Sequence, residues 1–256
     1  MDVLHLERLI GAAVFAGVRI GTLMLFAPFL GSSAIAAQVK IGFTVMLTAL
    51  LYPTYASMRL TTDMLDWVRI VAGEIVIGLL LALMVQFLFD AAELAGQITG
   101  VQTGFSLVNI LDPQTQVETP VLSVFHQTIA LLIFLRLDVH HWLLRGLAAS
   151  FSYLPPGGGV AVFSASAGLL QAASAIFMAG MQMAAPVMLA TALSDIALGF
   201  LSKASPQLPV LFFGLSIKSM LGLMVLAGTL AWWPQHLERE FSTAISHSER
   251  LLHFAR

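Results

Sequence analysis

Val68–Phe89 reads VRIVAGEIVIGLLLALMVQFLF. At about 1.5 Å of rise per residue, a helix of this length crosses the roughly 30 Å hydrocarbon core of a bilayer. Glu74 lies inside the run. A strand reading fails, because an open sheet edge leaves backbone polar groups unsatisfied in lipid. The chain continues through Asp90–Ser106, DAAELAGQITGVQTGFS. Gln86, Asp90, Glu93 and Gln97 recur at spacings of four, three and four, which sets them on one helical face. Gly96, Gly100 and Gly104 recur at every fourth residue on a neighbouring face, a spacing that lets another helix backbone approach closely. The helix is therefore expected to run beyond the apolar slab, with one polar side and one groove for a partner helix. The plain alternative is an amphipathic connector.

The rest of the chain follows the same pattern. Further apolar runs span Leu9 to Leu30 with Arg19, Ala34 to Tyr52 with Lys40, Val121 to Leu137, Ala165 to Leu201, and Leu208 to Trp233. The run from Ala165 is too long for one simple span and is expected to break at Pro186. Across 256 residues, 58% are hydrophobic and 10% charged, against about 45–50% and 25% in an ordinary soluble domain. Mean hydropathy is +0.89. Such a chain cannot cover its surface with polar groups, so lipid or a large protein partner must solvate most helices. The fold class is all-α: a polytopic membrane protein of five or six helical hairpin arms. Tyr52-Pro53, Asp112-Pro113 and Leu154-Pro155-Pro156-Gly157-Gly158-Gly159 punctuate it. The last divides the chain into N-terminal hairpins, 1–155, and a C-terminal hairpin with an amphipathic tail, 156–256. The acidic start, with Asp2 and Glu7, does not fit a cleaved secretory signal.

The net charge is −2, and no basic block offers nucleic acid an electrostatic footprint. The absence of cysteine removes disulfides, thiolate metal sites and a thiol nucleophile. Arg19, Lys40, Glu74, Asp195, Lys203 and Lys218 lie in or beside apolar runs. An ionised group at bilayer depth must face a partner, a cavity or protein. The charges form no ladder, so interhelical pairing is favoured over an ion relay, with Glu74 and Lys218 as buried structural charges. His126, His140 and His141 lie near Asp138, but adjacent histidines diverge by about 100° on a helix, and no metal site is expected. No nucleophile elbow or phosphate-cradling loop is present. No catalytic residue or cofactor is expected. The methionines Met178, Met181, Met183 and Met188 read as soft core filler.

A linked set of motifs carries a family resemblance. It comprises Gly73-Glu74-Ile75 with Gly78, Ala95 to Ser106, Asp112-Pro113, Pro120 to Ser123, Leu132 to Leu135 and His140-His141. Ser150-Phe151, Leu154-Pro155, Ser205 to Leu208, Gly214 and Lys218 complete it. Taken in order, this set resembles the flagellar biosynthetic protein FliR family, and covers about Ile70 to Gly222. Val139, Thr103 and Ser216 depart from residues frequent in that family.

The resemblance implies a non-enzymatic membrane subunit of the flagellar type III export gate, placed in the bacterial inner membrane within the flagellar basal body. It implies bent helical hairpins that assemble into a helical gate complex with the other small gate subunits. A large export-gate subunit docks nearby, unfolded proteins are the cargo, and lipid surrounds part of the assembly. It also implies a gating loop at about 105–119. The residues support that reading on their own. Phe105 to Thr119, FSLVNILDPQTQVET, is too polar to continue a helix through lipid, and Pro113 removes a donor and restricts Asp112. Such backbone is tolerated at membrane depth only against protein or a water-filled path. Phe105, Leu107, Val108, Ile110 and Leu111 could close a pore by excluding water. The competing readings are an ordinary solvent loop and, for the whole chain, a stand-alone secondary transporter or ion channel. A transporter predicts symmetric halves, which this sequence lacks.

Overall fold

The computed structural model describes residues 3–32, 35–51, 64–105, 121–155, 166–205, 207 and 210–254. Among them every regular element is a helix: α1 (Val3–Phe26), α2 (Ala37–Leu50), α3 (Met64–Gln102), α4 (Val121–Arg136), α5 (Val139–Tyr153), α6 (Ser166–Ala204), α7 (Val210–Thr229) and α8 (Trp233–Phe254). The chain is an all-α polytopic membrane protein. Met64–Gln102 and Ile176–Ala204 are each long and apolar enough to cross a membrane, and two bent helix pairs raise the number of spans to as many as four.

Pro186 does not break its helix. α6 runs on through it from Ser166 to Ala204, contrary to the expectation from the sequence. A proline removes one backbone donor, and packing can hold the helix around the gap. Met183, Ala184 and Val187, the neighbours of Pro186, are almost fully buried.

The helices divide into two compact units, neither contiguous in sequence. The first comprises Met1–Phe87, Leu135–Ala173 and Phe241–Arg256. Each unit therefore draws on both sides of the Pro155 punctuation. In the first unit, α1 buries Ala12, Phe15, Ala16, Ile20, Leu23 and Met24, positions that recur at helical spacing. Its Gly17 and Gly21 lie 3.6 and 3.7 Å, measured from an added Cβ, from the side chains of Thr48 and Thr44 on α2. Both threonines return their hydroxyls to carbonyls of their own helix at 2.8 Å. Lipid tails are as apolar as leucine, so such small-residue contacts, rather than hydrophobic exclusion, draw membrane helices together. Lys40 closes the α1–α2 turn by donating to the Gly31 carbonyl at 2.9 Å.

The second unit comprises Leu88–Phe134 and Ser174–Glu240. Its core draws on Phe89, Ala92 and Ala95 of α3, Ala130 and Phe134 of α4, Met183 and Val187 of α6, Leu226 of α7, and Trp233 and Leu237 of α8. Phe89 and Phe134 meet edge to face at 5.5 Å. The outward sides of α6 and α7 are apolar as well, with Leu189, Leu193, Ile196, Phe200, Ile217 and Met220 all exposed.

Candidate functional site: the end of the long helix

The helix α3 stops at Gln102, and its terminus is held from two sides. Gly104 takes φ 84, a conformation open to glycine and strained for residues with a Cβ. Thr103 is fully buried. Its hydroxyl donates to the Thr99 carbonyl at 2.7 Å, and its own carbonyl accepts from Ser219 Oγ of α7 at 2.6 Å. One turn along α7, Gly222 leaves room for the Thr103 methyl, which an added Cβ would strike; that Cβ would also lie 3.5 Å from the Thr191 methyl of α6. Phe105 follows, 44% exposed. Thus α6 and α7 fix the point from which the chain leaves α3.

The chain re-enters at α4, beside the same helix. An added Cβ on Gly96 would lie 2.7 Å from the Leu122 carbonyl oxygen and 2.8 Å from the Ser123 nitrogen, and closer still to Ser123 Cα. Gly96 therefore makes a close helix contact with α4 of its own chain. Gly100 is buried, and Gly104 lies beyond the helix as its terminator. From Gly96 to Thr103 the rise along α3 is about 10 Å, whereas the segment 106–120 could extend to about 50 Å. Leu107, Val108, Ile110, Leu111, Asp112 and Pro113 lie outside the described residues.

The two charges expected to be buried differ. Glu74 is fully buried, paired with Arg19 at 2.6 Å. Arg19 also donates to Ser150 Oγ at 3.0 Å and to the Leu154 carbonyl at 2.9 Å, and sits 4.4 Å from the centre of the Phe151 ring. Gly78 admits the α1 backbone at the same crossing, where an added Cβ would meet the Arg19 carbonyl oxygen. Lys218 is not buried: its side chain is 20% exposed and that of its partner Asp195 52%, with 2.6 Å between them.

The histidine pair is brought together more closely than helical divergence implies. Asp138 takes φ 54 in the turn before α5. Its carboxylate lies 3.8 Å from His140 Nε2 and 3.5 Å from His141 Nδ1, and the two rings are 4.2 Å apart. These are three potential donor atoms within 4.8 Å of one another, one short of a closed zinc site, and Asp138 and His141 are exposed.

Residues 10–244 match the family model described as "Bacterial export proteins, family 1". Among curated relatives, "Flagellar biosynthetic protein FliR" of Escherichia coli (strain K12) is 30% identical over 225 residues, 88% of this chain and 86% of that protein. The protein of the same name from Bacillus subtilis (strain 168) is 30% identical, with 82% of each chain covered. "Secretion system apparatus protein SsaT" of Salmonella typhimurium is 27% identical, with 86% of each covered.

Proposed function

The chain belongs to the bacterial export proteins of family 1, and from that premise we propose that it is a structural and gating subunit of the flagellar type III export channel. It sits in the bacterial inner membrane at the flagellar basal body, joins the other small gate subunits in a hetero-oligomer beside the large export-gate subunit, and helps form the path taken by unfolded flagellar proteins. The relatives are named for building an apparatus and for secretion, not for a reaction, and the role we assign needs no catalytic group or cofactor.

The observation that carries the gating part is the doubly held terminus of α3. Ser219 and Gly222 grip Thr103 where the chain departs, and Gly96 grips Leu122–Ser123 where it returns. The segment between these anchors is the one whose polarity and Pro113 bar it from crossing lipid as a helix. A segment rooted at both ends in packed helices is suited to close a lumen, because its position follows that of the helices. The test is deletion of Leu107–Gln116 in cells that still assemble the gate, with membrane permeability to small ions as the readout. A leak with export partly retained is expected. Unchanged permeability in a correctly assembled complex would rule out the plug, leaving the subunit a purely structural one.

A further inference from the structure

The second unit buries polar side-chain atoms that none of the described residues satisfies. Thr99 Oγ1 of α3, Ser123 Oγ and His126 Nε2 of α4, and Trp233 Nε1 and His236 Nε2 of α8 are enclosed without a hydrogen-bond partner among the described residues. All five residues are at most 8% exposed. In native proteins such atoms are few, and each calls for a ligand, an ordered water or a catalytic role.

They are also clustered. Gly96 brings α3 against Ser123, and Thr99 stands one turn on from Gly96 on the same face. Ser123 and His126 are likewise one turn apart on α4. The His126 ring lies 4.8 Å from that of Trp233, and His236 is one turn beyond Trp233. The two hydroxyls depart from the habit of this chain. Thr22, Thr44, Thr48, Thr103, Thr128, Ser150 and Thr191 all donate to a carbonyl of their own helix, the usual way in which a membrane helix hides a hydroxyl. Thr99 and Ser123 do not.

The polarity of the atoms indicates what joins them. His126 Nδ1 is 2.7 Å from the Leu122 carbonyl oxygen, which can only accept, so Nδ1 carries the proton. In the uncharged ring Nε2 is then a bare acceptor, whereas the indole nitrogen of Trp233 is only a donor. A donor and an acceptor on two touching rings, unbonded to each other, match a group that both accepts and donates. A metal ion cannot accept from an indole N–H. We propose that α3, α4 and α8 enclose a structural water site in which one water accepts from Trp233 Nε1–H and donates to His126 Nε2, with the Ser123 and Thr99 hydroxyls completing the hydrated seam. Buried waters of this kind make two to four bonds and need a polar setting. The seam makes the α4–α8 contact a water-bridged joint rather than a dry one.

Radiolytic hydroxyl-radical labelling of the full chain in nanodiscs tests this, because radicals form from ordered water in place. Expected is oxidation of Trp233, which has no exposed surface, at a rate approaching that of Trp232, which is 43% exposed. Phe134, buried to 1%, should stay unlabelled after normalisation to intrinsic reactivity. His126→Phe should cut Trp233 labelling and leave Trp232 unchanged. If Trp233 is as silent as Phe134, the seam is dry and the proposal fails. If His126→Phe leaves Trp233 labelling intact, opening of the helices rather than a bridged water is responsible, and the proposal fails equally. Should His126→Phe not fold, Trp233→Phe keeps the ring without the donor, and the same loss is then read at His126.

Discussion

Arg19 donates from Nε to the Glu74 carboxylate across 2.6 Å, and neither side chain has any exposed surface. The pair is asymmetric. Glu74→Gln leaves Arg19 bonded to Ser150 and to the Leu154 carbonyl, whereas Arg19→Met strips the carboxylate of its charged partner. Breaking a buried pair from one side costs about 3–5 kcal/mol, while replacing both partners with apolar groups is often neutral. Thermal unfolding of the detergent-solubilised chain should therefore rank Arg19→Met as the most damaging change. Glu74→Gln should fall between it and wild type, and Arg19→Met with Glu74→Leu should recover much of the loss. Export in cells that retain assembled complex should keep its dependence on the proton-motive force. An altered dependence would identify an ion relay.

The α3–α4 crossing predicts opposite outcomes for two glycines. A Cβ at Gly96 meets backbone atoms of Leu122 and Ser123, which cannot swing aside as a side chain can. Gly96→Ala is expected to destabilise by about 1–3 kcal/mol through overpacking. At Gly146 of α5 an added Cβ meets nothing within 4 Å, so Gly146→Ala should be neutral or stabilising by up to about 1 kcal/mol, the helix-propensity gain. Paired melting curves of the two variants check this. Equal destabilisation of both would refute the close crossing.

Apolar run length was enough to find six of the eight described helices, since lipid forces backbone satisfaction within each segment; α5 coincides with none of the runs, and α8 follows the amphipathic tail instead. The polar spacing from Gln86 to Gln97 likewise announced that α3 outlasts the slab. What the sequence left open was partnership. Glu74 and Arg19 both stood out as charges in apolar runs, yet they are 55 residues apart, and no local pattern joins them. Gly96 signalled a close approach without saying to which helix, because a small residue specifies distance and not identity. Pro186 misled, because tertiary packing overrides a local breaking signal. Nothing local in the sequence marks Ser219 and Gly222 as contacts: their importance lies in facing Thr103, more than a hundred residues earlier.

Lys218 and Asp195 pair on a side of the second unit that also exposes Leu193, Ile196, Ile217 and Met220. An ion pair bathed in hydrocarbon is costly, so this side is expected to face protein or water once the gate assembles. Exposed pairs contribute little by themselves. Asp195→Ala should thus barely move the melting temperature of the isolated chain but should reduce recovery of the assembled complex, and the exchange Asp195→Lys with Lys218→Asp should restore part of it. Normal co-purification of Asp195→Ala with the other gate subunits would show that the pair has no role in assembly.

The contact between Gly222 and Thr103 offers the most direct test of how the end of α3 is held. Gly222→Ala places a methyl against Thr103 Cγ2, with the Thr191 methyl 3.5 Å away on the other side, so α7 must retreat or Thr103 must turn. Either movement loosens the bond from Ser219 Oγ to the Thr103 carbonyl, 2.6 Å long. The expected cost is about 1–3 kcal/mol for overpacking, and Ser219→Ala alone should cost about 1 kcal/mol for the lost bond. Thr103→Ser removes the offending methyl and keeps the hydroxyl that bonds the Thr99 carbonyl. Combined with Gly222→Ala, it should therefore restore most of the stability, a coupling of about 0.5–3 kcal/mol. If this terminus positions the closing segment, ion permeability of cells with assembled gates should rise in Gly222→Ala and fall back in the double variant. Rescue of stability without rescue of a leak would confine the contact to packing. A double variant no better than Gly222→Ala would refute the contact itself.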